Sequence, residues 1–391
     1  MNISAILTLL FGLASAHLAH TPVVLEPQIN QHGSDFNKAN GGLPEISSQR
    51  NEPEGSLETR NDMTLAKRNG APKTQTSAPW GLRSISHRLP GAIYEGFPPS
   101  RNSEYYYDTN SGSGTFAYIL DDGIRETHKE FEGRAKNIYS IFPEKQAGDY
   151  VHGTAVAGII GSKTYGVAKK TTLLSVKTLG TTGADHSEVL KALLWTAEHI
   201  VNNTRQKSSV INLSFGVKKS DALNKFIELL VGKYDIPVVT AAGNEGEDAG
   251  TKTPGSAKGA INVGYINKQW GLAPRSNWGP AVTILAPGVD VETTGSESDT
   301  NAVLQSGSSY AAPYISGLVL NAISVHGVKG AANIKKFLLE KATKDRACVS
   351  KGTPNLVANN GNAMQDKVKP GDKSALSKLM CCIKDSLNKC K

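Results

Sequence analysis

Short apolar runs alternate with stretches of helical periodicity from residue 115 onward. Each run has the length of a single strand, and helical segments separate several of the runs, which is typical of βαβ units. The runs predict strands at residues 116–120, 172–176, 210–213, 238–241, 260–263 and 282–285. Strands that alternate with helices form a mostly parallel sheet covered by helices on both faces. We therefore predict an α/β fold with three layers.

Two of the intervening segments show the apolar face of a surface helix. Residues 187–202 repeat apolar side chains at helical spacing. This face comprises Leu190, Leu193, Leu194, Ala197 and Val201. In the next helix Ser220 is expected to cap the N-terminus. The buried face there is predicted to comprise Leu223, Phe226, Ile227 and Leu230.

Three polar residues stand at boundaries of predicted elements, and chemistry in open parallel sheets collects beyond the carboxyl ends of strands. Asp121 directly follows the first strand, His152 opens a helix of small residues 31 positions later, and Ser309 precedes a third element. That element is a helix with Pro313 predicted in its first turn. Each residue alone has a structural explanation as a turn, a buried histidine or a cap. Together they supply a nucleophile, its base and the carboxylate that orients the base.

A fourth polar residue, Asn244, follows the apolar strand predicted at residues 238–241. Asparagine is an ordinary turn residue. Attack of a nucleophile on a carbonyl carbon, however, builds negative charge on the carbonyl oxygen, and a neutral amide can donate a hydrogen bond to that oxygen as the charge develops. Asn244 is therefore a candidate oxyanion donor.

In their order and spacing, these motifs resemble the subtilisin-type serine proteases, and within that family the fungal proteinase-K-like branch. The Asp, His, Ser chain order is that of subtilisin. The similarity extends over residues 76–362, and further motifs of the branch match at residues 78–82, 105–108, 118–121, 163–170 and 212–216. The resemblance implies a three-layer subtilisin-like fold and a serine endopeptidase.

The resemblance also implies a role for each residue of the site. Asp121 is the orienting carboxylate, His152 is the general base and then the general acid, and Ser309 is the nucleophile that forms an acyl-enzyme. Asn244 donates to the oxyanion beside the backbone N–H of Ser309.

By the same resemblance, substrate lies as an extended strand between two segments of the chain. One segment is Gly183, Ala184 and Asp185, the other is Ser214, Phe215 and Gly216, and the wall of the P1 pocket is Ala241, Ala242 and Gly243. Recognition by strand addition relies on main-chain hydrogen bonds, so we predict broad specificity.

Asp122 departs from the branch, which usually carries Thr or Ser at this position. The Asp-Asp-Gly motif at residues 121–123 resembles the kexin branch, where the second carboxylate helps to accept a basic P2 side chain. Asp122 is therefore predicted to contact substrate and to favour Lys or Arg at P2 modestly. Lys218 and Lys219 stand where kexins supply acidic P1 contacts, so strict dibasic specificity is not expected.

Four further positions depart from the branch. Thr283 and Lys258 fall among the ligands of its strong calcium site. A hard cation needs oxygen ligands and negative charge, so we expect no metal at that site and no cofactor. Tyr310 and Tyr314 flank the nucleophile and are predicted to narrow the cleft or reduce activity.

The two ends of the chain differ from the main domain. Residues 6–16 form an apolar run that is too short to span a membrane and ends in small residues, which predicts a secretory signal peptide over residues 1–16. Residues 17–75 are polar and lack hydrophobic periodicity, which predicts a pro-segment or linker. The peptidase domain is assigned to residues 76–362, and a basic tail that contains cysteines to residues 363–391. Because no later run could span a membrane, we predict a secreted, extracellular protein.

Composition and charge narrow the classes of partner. Glycine makes up 39 of 391 residues and charged residues 20%, which fits a turn-rich globular chain and excludes a disordered one. Of the formal net charge of +8, residues 364–391 carry +4, from seven Lys and three Asp, so no nucleic-acid partner is expected.

The four cysteines lack zinc-site spacing. The pairing of Cys348, Cys381, Cys382 and Cys390 stays open.

The expected partners are protein and peptide substrates and the chain's own pro-segment, and we expect a monomer. Asn202 begins a usable glycosylation sequon, whereas Asn212 begins one that is expected to be buried in a strand. Two alternatives stay open: a catalytically silent relative that binds peptides, and a vacuolar protease of the same kind.

Overall fold

The structure, a computed structural model, describes residues 22–23, 70–90, 104–142, 150–180, 183–349 and 352–365. The predicted signal peptide, most of the predicted pro-segment and the three tail cysteines lie outside these residues. Within the described part of the chain, no helix combines the length and the apolar character needed to cross a membrane.

A nine-stranded sheet forms the centre of the fold. From one edge to the other its strands are β16 (Thr343–Lys344), β17 (Leu356–Val357), β13 (Ile284–Pro287), β12 (Ile261–Ile266), β10 (Val238–Ala241), β8 (Ser209–Leu213), β4 (Phe116–Asp121), β6 (Thr172–Lys177) and β5 (Ala135–Ser140). All neighbouring strands are parallel except β16, which is antiparallel to β17.

Four antiparallel strand pairs surround this sheet. They are β1 (Pro22–Val23) with β7 (Ala184–Asp185), β2 (Pro72–Gln75) with β3 (Tyr105–Asp108), β9 (Val217–Lys218) with β11 (Lys252–Thr253), and β14 (Val291–Thr294) with β15 (Ala302–Gln305). The first pair joins a segment near the N-terminus to one of the predicted substrate strands.

The helices are α1 (Trp80–Ser84), α2 (Val151–Gly161), α3 (His186–Asn202), α4 (Asp221–Gly232), α5 (Ser308–Ser324) and α6 (Ala331–Lys341). Short 3₁₀ turns occur at Lys129–Phe131, Gln206–Ser208 and Ala249–Thr251. The longest helices have 17 residues each, and one of them, α5, carries the candidate nucleophile.

Strand β4 shows why the helices divide into two layers. Its side chains alternate between the two faces of the sheet, as in any strand. Ala117 and Ile119 join the apolar cluster beneath α2, α5 and α6. Tyr118 and Leu120 join the cluster beneath α3 and α4. The structure therefore confirms the predicted three-layer α/β fold, with a core on each side of the sheet.

Most predicted strands match the structure closely, and the exceptions are β5 and the bounds of β12 and β13. The predicted strands 116–120, 172–176, 210–213 and 238–241 are β4, β6, β8 and β10 within one residue at each end. The predicted strand 260–263 is β12, which extends three residues further. The last predicted strand, 282–285, is β13, which begins and ends two residues later. Strand β5 was not predicted, because Lys136 and Asn137 are exposed at the sheet edge and interrupt the apolar pattern.

The predicted helices are also present, but the buried face of α3 differs from the prediction. Leu194 and Val201 are only half-buried, whereas Val189 and Ile200 are buried. Apolar residues cover more of the surface of this helix than one face, and the packing of the helix on the sheet decides which of them are buried. In α4 the predicted face is buried, and Ser220 Oγ accepts the Leu223 N–H at 3.4 Å.

The strand order places a crevice at the carboxyl end of β4. Strand β6 pairs with one edge of β4, and the chain then crosses through α3 to β8 on the other edge. Such a reversal of winding separates the neighbouring loops and opens a crevice at that end of the strands, where ligands bind in open α/β sheets. Asp121 is the last residue of β4.

Candidate active site

Asp121 and His152 meet at this crevice. Asp121 is fully buried, and His152 is the second residue of α2, which begins at the same end of the sheet. His152 Nδ1 lies 2.8 Å from Asp121 Oδ1 and 3.0 Å from Oδ2. This contact places the ring proton on Nδ1 and leaves Nε2 as an acceptor, the tautomer that a general base requires.

The surroundings of His152 set the pH at which it can act as a base. Burial lowers the pKa of His152, but the charge and hydrogen bond of Asp121 raise it, and the net pKa lies above the ordinary value. The ring of Tyr310 packs against the imidazole, with 5.3 Å between the ring centroids. Since only neutral imidazole accepts a proton, function as a base increases as the pH rises through that raised pKa.

Ser309 is the second residue of α5 and is hydrogen-bonded to the Ser214 segment. Its Oγ donates to the Ser214 carbonyl at 2.7 Å, and Ser214 Oγ donates back to the Ser309 carbonyl at 2.8 Å. The next residue is Tyr310, whose ring contacts His152. The hydroxyl thus has to rotate from the Ser214 carbonyl towards Nε2 before it can transfer its proton.

Pro313 explains why the Ser309 carbonyl is available to Ser214. The prediction that Pro313 lies in the first turn is wrong: α5 begins at Ser308, so Pro313 is inside the helix. Proline has no N–H, and it therefore cannot donate to the carbonyl four residues earlier, which belongs to Ser309. The buried Ser214 hydroxyl takes that place and itself accepts from Asn212 Nδ2 at 2.9 Å.

Asn244 lies beside the N-terminus of α5. Its Oδ1 accepts the Ser308 N–H at 2.7 Å, which leaves Nδ2 to donate. The Ser309 N–H is among the first four of the helix, which have no partner within it. Gly307 has φ +145°, and a Cβ there would lie 3.4 Å from Asn244 Oδ1. Two donors at one helix start can stabilise an oxyanion.

Ser308 contributes to the site, and the sequence analysis did not single it out. It is fully buried, and its Oγ accepts the Gly243 N–H at 3.0 Å. Because its own N–H donates to Asn244, Ser308 links the loop after β10 to the start of α5. Its position beside Ser309 was the only signal in the sequence.

The predicted substrate segments lie on both sides of the carboxyl end of β4. Ala184 and Asp185 form β7, and Gly183 precedes them. Residues 214–216 follow β8, with Phe215 buried. The predicted P1 wall starts at the end of β10 and runs through Ala242 to Gly243, whose φ of +104° needs glycine. A Cβ at Gly243 would contact the Asn277 amide.

Asp122 faces the start of α2. Its Oδ1 accepts the Gly153 N–H at 2.7 Å, and its Oδ2 accepts the His152 N–H at 3.1 Å. These contacts connect it to the histidine, and its contact with a P2 side chain stays a prediction.

The two tyrosines near the nucleophile are buried in the core, Tyr310 at 4% and Tyr314 at 0% exposure. Burial raises the pKa of both. The Tyr314 hydroxyl packs directly on the backbone of Gly81 in α1, where a Cβ would collide with it. Tyr314 is enclosed by the core, whereas Tyr310 packs against His152 at the site. The expectation that the two rings narrow the cleft or reduce activity stays a prediction.

Thr283 and Lys258, which fall at the strong calcium site of the branch, contact other parts of the chain. The Thr283 N–H donates to the Asn262 carbonyl, and the Lys258 N–H donates to Glu228 Oε1. Within the described part of the chain, no three His, Cys, Asp or Glu side chains gather as a metal site would require.

The chain is similar to known proteins over most of its length. A family model described as the subtilase family matches residues 112–367. Alkaline protease 1 of Aspergillus flavus is 42% identical over 292 residues, which cover 74% of this chain and 69% of that protein. Subtilisin-like proteinase Mp1 of Magnaporthiopsis poae is 40% identical over 298 residues, which cover 74% and 71%.

A further relative and a solved structure are also described as subtilisin-like. A subtilisin-like protease of Coccidioides posadasii is 37% identical over 294 residues, which cover 74% of this chain and 70% of that protein. The crystal structure of a cold adapted subtilisin-like serine proteinase superposes with a TM-score of 0.64 and 27% identity, covering 73% of this chain and 98% of that chain. The chain therefore belongs to the subtilase family and is a serine-type endopeptidase.

Proposed function

We propose that the protein is a secreted endopeptidase that cleaves proteins and peptides with broad specificity through an acyl-enzyme on Ser309. The observation that carries the proposal is the 2.8 Å contact between Asp121 and His152 at the crevice, with the N-terminus of α5 at the same site. No cofactor takes part in this chemistry.

The proposed reaction has two halves. Ser309 Oγ attacks the peptide carbonyl carbon while its proton passes to His152 Nε2, and the oxyanion accepts hydrogen bonds from Asn244 Nδ2 and the Ser309 N–H. The imidazolium then protonates the leaving amine as the C–N bond breaks, which leaves the acyl-enzyme. In the second half, water attacks the ester carbonyl carbon while His152 Nε2 takes its proton. The C–O bond to Ser309 then breaks, the imidazolium returns the proton to Ser309 Oγ, and the carboxylic acid product leaves.

Substrate binding is proposed to release the nucleophile from its contact with Ser214. A substrate strand laid along residues 214–216 presents backbone N–H groups to their carbonyls, as in strand addition. An N–H donated to the Ser214 carbonyl competes with the Ser309 hydroxyl for the same acceptor. The freed hydroxyl then turns towards His152.

The proposed function is tested by labelling purified protein with a fluorophosphonate and by following casein hydrolysis. We expect labelling and rapid hydrolysis in the wild type, and in Ser309→Ala no labelling and a hydrolysis rate below the detection limit of the casein assay. Ser306→Ala is the matched control, because Ser306 is exposed and precedes the helix. A folded wild type that neither labels nor cleaves casein would contradict the proposal and support the silent peptide-binding alternative.

Asn244→Ala is expected to lower kcat by about 10²- to 10³-fold, the range that loss of one oxyanion donor causes in subtilisin itself. KM should change little, because the donor acts on charge that develops only in the transition state. Steady-state kinetics on a chromogenic peptide measure both constants. A loss confined to KM would contradict the assignment.

The segment near the N-terminus is proposed to occupy the substrate cleft. Pro22 pairs with Asp185, and Val23 pairs with Ala184, in antiparallel register along the predicted substrate strand. A strand bound there takes the main-chain groups that substrate would use. This contact supports the assignment of the pro-segment as a partner of the peptidase domain.

A synthetic peptide of residues 18–28 is therefore expected to inhibit the mature enzyme competitively. KM for a chromogenic peptide should rise with peptide concentration, and kcat should stay constant. A scrambled peptide of the same composition is the control. Equal inhibition by both peptides, or a fall in kcat alone, would contradict binding along β7.

Secretion predicts glycosylation at one of the two sequons in the peptidase domain. Asn202 is exposed at the end of α3. Asn212 is fully buried, and its side chain bonds Ser214 and Ser316. We expect a glycan on Asn202 alone of this pair. Removal of N-glycans should shift the mass of the secreted wild type, and Asn202→Gln should abolish that shift.

A further inference from the structure

The residue that precedes helix α2 does not cap the helix with its side chain. Tyr150 is the N-cap residue, has φ +47°, and supplies no side-chain hydrogen bond. The first N–H groups of a helix have no acceptor within the helix and need one from elsewhere. Here the acceptor is Asp122, which is 30 residues from His152 in the chain and uses one oxygen for each of two N–H groups.

The helix start also packs directly on the turn that contains Asp122. A Cβ at Gly153 would lie 2.9 Å from Asp122 Oδ1 and 3.1 Å from Asp121 Cβ, and it would collide with the Gly123 carbonyl. Only glycine permits this approach, so the end of β4 and the start of α2 touch through main-chain atoms. A displacement of either element would move His152 relative to Asp121.

We propose that Asp122 is a positioning residue for the general base. Consecutive carboxylates hold the same histidine at two points: Asp121 binds the ring at Nδ1, and Asp122 binds the backbone N–H. This inference rests on the proposed function, in which His152 transfers the proton. Two points of attachment fix both where the imidazole lies and how it is turned.

The charge of Asp122 adds to this role. Burial and the neighbouring Asp121 raise the pKa of Asp122 to about 6, against the opposing effects of His152 and the two backbone hydrogen bonds. The ionisable groups that face it are Asp121 on β4, His152 on α2 and Tyr310 on α5. Above that pH the carboxylate is charged, and its negative charge stabilises both the partial positive charge of the helix N-terminus and the imidazolium that forms during turnover.

Positioning makes predictions that differ from those of P2 recognition. A residue that holds the base affects every substrate alike and acts on kcat. A receptor for basic P2 side chains affects KM, and only for substrates that carry Lys or Arg at P2. Kinetics on two peptides that differ only in P2-Lys or P2-Ala therefore separate the two roles.

We expect Asp122→Ala to lower kcat by about 10- to 100-fold for both peptides, with KM little changed, because small misplacement of a catalytic group has effects of this size. Asp122→Asn keeps one acceptor oxygen and loses the charge. It should recover part of kcat, and the acid limb of its kcat/KM profile should move to lower pH. Asp221→Asn is the matched control, since Asp221 is an exposed acid in the first turn of α4.

A second measurement does not depend on turnover. Amide hydrogen exchange in the peptide that covers α2 should speed up in Asp122→Ala and stay unchanged in Asp221→Asn. Wild-type kcat in Asp122→Ala, or a loss confined to KM for the P2-Lys peptide, would overturn the proposal. A wild type without turnover would contradict the proposed function. Hydrogen exchange tests the contact of Asp122 with the start of α2 independently, because unchanged exchange in Asp122→Ala would overturn that contact.

Discussion

Ser309→Ala is expected to lower kcat by about 10⁶-fold, the loss that removal of the nucleophile causes in subtilisin itself. The methyl group cannot form the acyl-enzyme, so water has to attack the peptide directly. The Asn244 amide and the N–H of residue 309 remain in place, because neither depends on the serine hydroxyl. A small residual rate above the uncatalysed one should therefore persist.

Pre-steady-state and steady-state kinetics on an activated ester measure this loss. The wild type should release a burst of product as the acyl-enzyme accumulates, and Ser309→Ala should release none. Ser306→Ala should keep both the burst and the wild-type kcat. A burst in Ser309→Ala would show that another residue is acylated and would contradict the proposed nucleophile.

Asp121→Asn is expected to lower kcat by about 10⁴-fold. The amide can hold the ring in the wrong tautomer, with its proton on Nε2, where the base should accept. The variant also shifts the pH profile. Asp121 raises the pKa of His152 in the wild type, so removal of its charge lowers that pKa. The acid limb of kcat/KM should move to lower pH, because neutral imidazole then persists in more acidic solution.

A pH series of kcat/KM for the wild type, Asp121→Asn and Asp221→Asn tests this expectation. The control variant removes one negative charge at the exposed start of α4 and should keep the wild-type profile. An unchanged acid limb in Asp121→Asn would mean that another group titrates there. A kcat within tenfold of the wild type would contradict the role of Asp121 as the orienting carboxylate.

The buried strands could be predicted because their local pattern carries the information. Strands β4 and β8 lie between two helical layers, so almost all of their side chains are buried and most are apolar, which makes both strands stand out in the sequence. Strand β5 lies at the sheet edge and carries exposed polar residues. The hydrophobic pattern cannot distinguish such a strand from a loop, because pairing with the neighbouring strand, and not its own side chains, makes the segment a strand.

The polar contacts that organise the site could not be predicted in the same way. Ser308, Ser214 and Asp122 each bond a residue that is distant in the chain. Serine and aspartate are common at turns and caps, so nothing local indicates which distant group each of these three side chains contacts. The mistake over Pro313 has the same origin, since the start of α5 depends on Asn244 and Gly243 and not only on propensity.

The sequence by itself determined the layered α/β fold and the identities of the candidate site residues, because each stands where a local pattern changes. Only the tertiary structure decided how these residues meet. It placed the Ser309 hydroxyl on Ser214, both tyrosines in the core, and Asp122 at the start of α2. The physical reason is that hydrogen-bond partners and burial depend on contacts between distant segments, which exist only once the sheet and both helical layers have formed.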